Sequence, residues 1–458
     1  LGEAPKIADA DSYAHQYAFC DVLIVGAGAA GLAAALAAGE TGASVMLVDE
    51  QPELGGGLLD ERSASIDGMP AAAWLASALS RLSDMDNVTL LPRTQAFGYY
   101  AQNLLGLSQR LTEHLADTGT APRERLWKVR ATQVVLATGA IERPLVFPDN
   151  DRPGVMLASA ARTYANRYGV KPGQRAVVFA ADDTGYTAAL DLHHAGVAIA
   201  MIADLRAVAD GPGHAAALAA GLPVSLGTVV NAVSGRLRVS GVQLATLDPN
   251  NAAANTRDVS CDLLLMAGGW TPAVHLFSQS RGKLAYDAAR QIYTPGTYAQ
   301  EARSVGACNG TFDLAAAMSE GANGARTYAA SGATVPSGGF HGAVPTTQNP
   351  QKIKAFVDFQ NDVTAKDIKL AVREGMHSIE HIKRYTTTGM ATDQGKTSNM
   401  NGLAIAATAL DKAIPDIGLT TFRPPFTPVT FGTLAGPARG DLLDPVRQTP
   451  MHDWAVAN

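Results

Sequence analysis

A short apolar run, Cys20-Asp21-Val22-Leu23-Ile24-Val25, leads straight into Gly26-Ala27-Gly28-Ala29-Ala30-Gly31 and then into the alanine-rich stretch LAAALAAGETG. Strand, glycine turn and helix in this order leave the chain few folds to adopt. Gly26 permits the tight turn, Gly28 lets backbone approach a pyrophosphate, and Gly31 allows the helix to pack closely on the strand. The first turn of that helix then offers free N–H donors to phosphate. A second strand, residues 44–48, ends on Asp49-Glu50. An acid about 20 residues past the glycines binds a ribose hydroxyl; Asp49, flush with the strand end, is expected to do so, with Glu50 in reserve. Residues 21–50 therefore read as a unit that holds an adenine dinucleotide.

Later segments indicate which dinucleotide-binding architecture this is. Gln51-Pro52-Glu53-Leu54-Gly55-Gly56-Gly57 is glycine-rich, of the kind that lies over the cofactor in two-domain disulfide-reductase-like flavoproteins, so Gln51, Gly56 and Gly57 join the candidate site. The strand at 131–136 closes on Ala137-Thr138-Gly139, where backbone again passes the nucleotide. From Arg175 a second pattern begins, RAVVFAADDTGYTAALDLHHAGVAIAMIADLR, with Asp204 at the acid position. Its turn is degenerate: Asp182 and Asp183 put negative side chains where a pyrophosphate needs bare backbone. The segment Arg303 to Gly310, with Gly306, resembles the stretch that returns such a chain to its first domain. Asp313 then either faces the ribityl or ribose part of the cofactor or caps the next helix.

The expected fold is α/β: two Rossmann-like nucleotide-binding domains of the disulfide-reductase-like flavoprotein type, the second (165–285) inserted in the first (20–164 and 286–330), behind an N-terminal extension at 1–19. A Gly/Ser/Pro-rich linker at 331–350 precedes a small helical module at 351–415, in which Thr364 and Asp367 have capping-box spacing. An extended segment, 416–458, would lead to a further domain.

Composition narrows the function classes. A chain of 458 residues that is 47% hydrophobic can bury a large core, and its net charge of -6 with interspersed signs argues against a nucleic-acid footprint. No apolar stretch approaches the ~20 residues of a membrane span, and the first twenty residues lack a secretory core, so no membrane is expected and a cytoplasmic location is the default. Cys20, Cys261 and Cys308 are too few and scattered for a disulfide framework or a four-thiolate site. No HExxH or GxSxG signature occurs, and His377 with His381 is the single histidine pair at helical spacing. No metal site and no catalytic residue are expected in this chain.

Longer phrases carry a closer resemblance. VGAGAAGLAAA, DEQPELGG, ATGAIERPLVFPDNDRPGVM, KRYTTTGMATDQGKTSN and RPPFTPVTFG together are similar to the α subunits of heterotetrameric sarcosine oxidases. KRYTTTGMATDQGKTSN also resembles the end of the ferredoxin-like module of opine, proline and cyanide-forming amine oxidoreductases. There four cysteines hold a [2Fe-2S] cluster; the matching positions here are Asp358, Gln360, Asp393 and Ser398, and without thiolates no cluster is expected. The resemblance implies a fragment of a longer α subunit that lacks an N-terminal module and a C-terminal folate-binding aminomethyltransferase-like domain. It implies oxidation of sarcosine, a small-molecule amine bound on a partner subunit, to glycine, hydrogen peroxide and formaldehyde or methylene-tetrahydrofolate. The β, γ and δ subunits are the implied partners, with FAD on β, FMN at the α/β interface and a structural NAD in the α nucleotide site. Lys396, Thr397, Ser398 and Asn399, with Lys383 and Arg384 nearby, have the donors an FMN phosphate requires; the same residues also suit a polar loop that caps the next helix. The alternatives are a free-standing reductase with FAD in the first domain and NADPH in the second, a scaffold subunit, and the α subunit of an opine or proline dehydrogenase.

Overall fold

The computed structural model describes residue 7 and residues 10–336, 338–438 and 448–458. Most of the first nine residues, Ser337 of the linker and residues 439–447 of the C-terminal segment lie outside that description. The first sheet is built on β1, Tyr13–Val25, followed by α1, Ala29–Gly39, and β2, Val45–Val48. β1 pairs in parallel with β2 on one side and with Glu124–Leu136 on the other; Val88–Leu91 extends the β2 edge and Ala302–Ser304 returns late in the chain to pair with Glu124–Leu136. Parallel neighbours need crossovers, and α1 supplies one of them. The strands are apolar where both faces are covered: Leu23, Ile24, Leu47 and Val48 are fully buried, and each such side chain contributes roughly 1.5–3 kcal/mol of transfer free energy.

The first half of β1 departs from expectation. Residues 13–19, read as part of an N-terminal extension, continue the strand, register-matched to Glu124–Arg130 from Tyr13↔Glu124 onward. Their own pattern, YAHQYAF, is mostly surface-facing, so only the length of the partner strand reveals them. That partner also turns antiparallel against Leu104–Arg110, which forms a hairpin with Thr94–Tyr100.

The second sheet is wholly parallel, in the order 155–157, 263–267, 175–180, 198–204, 224–225, beside an antiparallel three-stranded sheet at 228–260. Its edge strand Val155–Leu157 lies before the boundary expected at 165, and the helix Ala158–Asn166 runs across it. The helix belongs here because Arg162 pairs with Asp191 at 2.6 Å, on the neighbouring helix Thr184–His194. In the small module, Thr364 and Asp367 form the capping box of the helix Ala365–Arg373, and Ser378 caps Ile379–Thr386. The segment after 416 is not merely extended: it carries short helices at Phe431–Ala435 and His452–Ala457. Among the described residues no helix is long and apolar enough to cross a membrane.

Candidate functional site

In open α/β sheets ligands bind beyond the carboxyl ends of the strands where strand order reverses. Here that point lies between Val25 and Leu136, and the chain leaves it through Gly26 and through Ala137-Thr138-Gly139. Gly26 has φ +102°, and a Cβ on it would sit 2.3 Å from the Ala137 carbonyl oxygen; one on Gly31 would sit 1.9 Å from the Gly26 carbonyl oxygen. Both glycines are dictated by packing. Gly28 differs: an added Cβ would meet nothing within 4 Å, so the bare backbone there faces open cleft. Gly28 also starts α1 with no side-chain cap, which leaves the first N–H groups of the helix, at Ala29, Ala30 and Gly31, without intrahelical partners. These features fit a pyrophosphate.

The two acids are placed differently. Asp49 accepts from the Ala27 N–H through Oδ2 at 2.7 Å and from the Gln51 N–H through Oδ1 at 2.8 Å. Both its oxygens therefore brace the glycine turn and the strand exit. Glu50 is exposed at the rim of the cleft, and its carboxylate makes no hydrogen bond among the described residues.

Two cavities run end to end along this edge. The outer one, about 550 Å³, is lined by the glycine turn, Asp49, Glu50, Gln51, Gly56, Gly57, Thr138 and Gly139. The inner one, about 350 Å³, shares Gly28, Gly57 and Gly139 with it and continues past Gly306 to Glu142, Ser159 and Trp270. Distant segments close the outer cavity. Lys396 and Thr397 line it, with the Lys396 ammonium 4.0 Å from the centre of the Phe426 ring and Nζ 3.3 Å from the Phe426 carbonyl oxygen. Burial lowers the Lys396 pKa, while Glu50 and Asp393 pull it back up. His275 stacks on Phe426 at 3.8 Å and meets Phe422 edge-on at 4.3 Å; burial and the charge of Lys396 hold it neutral, well below the usual imidazole range. Nothing in the local pattern marked His275, and Phe426 stood out only as part of the phrase RPPFTPVTFG.

Other expected site residues separate. Ser398 is fully buried at the start of the helix Asn399–Leu410, and the Asn399 side chain donates to the Gln394 carbonyl oxygen, so Lys396 to Asn399 do not face one ligand. Of the two roles open to Asp313, the structure has the cap: it is exposed, and its Oδ1 accepts from the Ala316 N–H at 2.8 Å. The Gly306 N–H donates to Glu320 at 2.7 Å and is not free for a ligand.

The second turn is closed by its own side chains. Asp182 and Asp204 are fully buried and Asp183 nearly so. The Arg206 guanidinium bridges Asp183 and Asp204, each at 2.8 Å, and the Tyr186 hydroxyl donates to Asp204 at 2.7 Å. The acid that would hold a ribose in an active copy is thus held by an arginine that the sequence pattern did not single out. Asp182 is pushed up to about 6 by burial.

Three of the four positions matching the cluster cysteines, Asp358, Gln360 and Asp393, are linked by hydrogen bonds, and among the described residues Ser398 is not joined to them. Asp358 accepts from the N–H groups of Gln360, Asn361 and Gly389, the last at 2.7 Å, and Gln360 Oε1 accepts from the Thr392 hydroxyl and the Asp393 N–H. Hydrogen bonds tie these two loops together. Among the described residues no group of three or more His, Cys, Asp or Glu could hold a metal ion, and all three cysteines are buried, with Cys20 pushed up to about 12.

Residues 20–317 match the pyridine nucleotide-disulphide oxidoreductase family, and residues 352–437 match the sarcosine oxidase A3 domain. The sarcosine oxidase α subunit of Rhizobium meliloti is 42% identical over 99% of this chain and 46% of its own length. That of a Corynebacterium strain is 42% identical over 100% of this chain and 49% of its own. The chain spans about half the length of the curated relatives it matches. An L-proline dehydrogenase from P. horikoshii shares the fold, with a TM-score of 0.66 at 21% identity over 92% of this chain and 80% of its own. One intact dinucleotide cradle, a second that is self-filled and a cysteine-free small module thus occur in a chain that belongs to the pyridine nucleotide-disulphide oxidoreductase family and is a homologue of sarcosine oxidase α subunits.

Proposed function

We propose that the chain is the nucleotide-binding part of the α subunit of a sarcosine oxidase complex, and that its cleft keeps NAD as a resident cofactor. The observation that carries this reading is the asymmetry of the two turns. A reductase passing hydride between NAD(P)H and FAD needs two pyrophosphate cradles, and Arg206, Asp183 and Asp204 fill the second. In the first, the N–H groups of Ala29 to Gly31 would hold the pyrophosphate, Glu50 the adenosine ribose, and Asp49 the turn itself, while Lys396 and Phe426 cover the site from the small-module side. Bound there, the dinucleotide supplies binding free energy to the folded subunit and no redox step.

Sarcosine oxidation to glycine, with hydrogen peroxide and formaldehyde or methylene-tetrahydrofolate as the other products, then belongs to the complex with β, γ and δ subunits, on FAD held by β. FMN at the β interface would meet this chain on the face of the small module where Lys383, Arg384 and Arg423 gather around a cavity of about 490 Å³. Heat release of the cofactor from the complex purified with its partner subunits, followed by chromatography with mass detection, tests the reading. With the flavins of the partners counted separately, one NAD per α chain is expected. FAD in the α site, or no dinucleotide there, would overturn it.

A further inference from the structure

The inner end of the cleft carries a carboxyl whose hydrogen bonding the fold leaves incomplete. Glu142 closes the short strand Ala140–Glu142, is 3% exposed, and lines the inner cavity with Ser159, Trp270 and Gly306. Its Oε2 accepts from the Ser159 N–H at 2.8 Å and from the Ser159 hydroxyl at 2.5 Å. Its Oε1 has no partner among the described residues and is out of solvent. A buried acceptor left unmet costs about 1–3 kcal/mol and is rare in folded proteins. Nor does the surrounding charge account for it: Arg162, the nearby cation, is divided between Asp191 at 2.6 Å and Glu61 at 3.3 Å, and Asp182 adds a like charge. Burial pushes Glu142 up to about 7, so near neutrality its carboxyl can donate as well as accept.

A dinucleotide with its adenosine at Glu50 and its pyrophosphate at Ala29 to Gly31 would extend its other end into the adjoining inner cavity. Resting on the NAD reading above, we propose that Glu142 recognises the nicotinamide carboxamide through its unpartnered oxygen. As an acid, Oε1–H donates to the amide carbonyl; as a carboxylate, Oε1 accepts from the amide N–H. One bond is kept in either state. A ligand with a carboxylate in place of the carboxamide offers no N–H and repels the ionised form.

The test uses nicotinic acid adenine dinucleotide, which differs from NAD only in that group, and measures both dissociation constants on cofactor-stripped complex. At pH 8.5, where Glu142 is ionised and can only accept, wild type is expected to prefer NAD by at least about tenfold, the worth of one hydrogen bond. Glu142→Ala is expected to weaken NAD binding by a similar factor. Glu142→Gln, which keeps shape and an N–H donor, is expected to bind both ligands within about threefold of each other. An alanine variant that binds NAD as wild type does, or a glutamine variant that keeps the tenfold preference, overturns the assignment of Glu142 while the NAD reading stands. A wild-type extract without NAD overturns both.

Discussion

At the level of single residues, Asp49 and Glu50 show how adjacent carboxylates come to different uses. Spacing placed an acid at the end of β2, and both candidates satisfy that spacing. What separates them is direction: Asp49 turns back to the N–H groups of Ala27 and Gln51, and Glu50 turns out to the rim. Hydrogen bonds to a charged group contribute about 1.5–3 kcal/mol each, so Asp49→Ala is expected to destabilise the subunit by roughly 3 kcal/mol or more and to lower its melting temperature even without dinucleotide. Glu50→Gln is expected to leave the melting temperature of the stripped protein unchanged and to weaken dinucleotide binding by about tenfold in a titration. Equal losses of stability for the two variants would refute this division.

Elements carry the second contrast. The sequence at 175–206 reads as a second strand-turn-helix-strand-acid unit, and it folds as one. Its chemistry is lost because charged side chains now occupy the turn, with Arg206 balancing Asp183 and Asp204. Arg206→Met would leave two buried carboxylates without their cation, which is expected to cost about 3–5 kcal/mol in denaturant unfolding and to create no second dinucleotide site. A variant as stable as wild type would show that the bridge is dispensable. The small module makes the same point differently. Asp358 is expected, through its bonds to three N–H groups, to hold the loop at 358–361 against Gly389, so Asp358→Ala should raise proteolysis within 387–398 before it affects the nucleotide sheet.

Across the whole molecule, burial of acids ties stability to pH. Glu142 is raised from 4.5 to about 7 and Asp182 from 3.8 to about 6. Below their unfolded values both are protonated in either state and the contribution is at its most favourable; as pH rises, the unfolded chain ionises first, and that contribution is lost until the folded groups also ionise. These two groups therefore make stripped protein less stable as pH goes from about 4 to about 7, and Glu142→Gln is expected to flatten that part of the curve of melting temperature against pH. An identical slope in the variant would mean that Glu142 titrates normally.

The chain's local demands were determined by sequence: the close packing of Gly31 on Gly26, the degraded second turn and the capping box at Thr364 are each set by residues a few positions apart, while the need for Gly26 comes from Ala137 across the sheet. Tertiary structure decided which acid braces and which stays free, that Arg206 fills the second turn, that residues 13–19 extend β1, and that His275, Lys396 and Phe426 wall the cleft. It also left Glu142 with an unpartnered oxygen at the inner cavity. Backbone geometry is imposed by short-range sterics and so can be read along the chain. Hydrogen-bond direction, burial and the meeting of segments far apart in sequence arise only once the sheets and the small module pack.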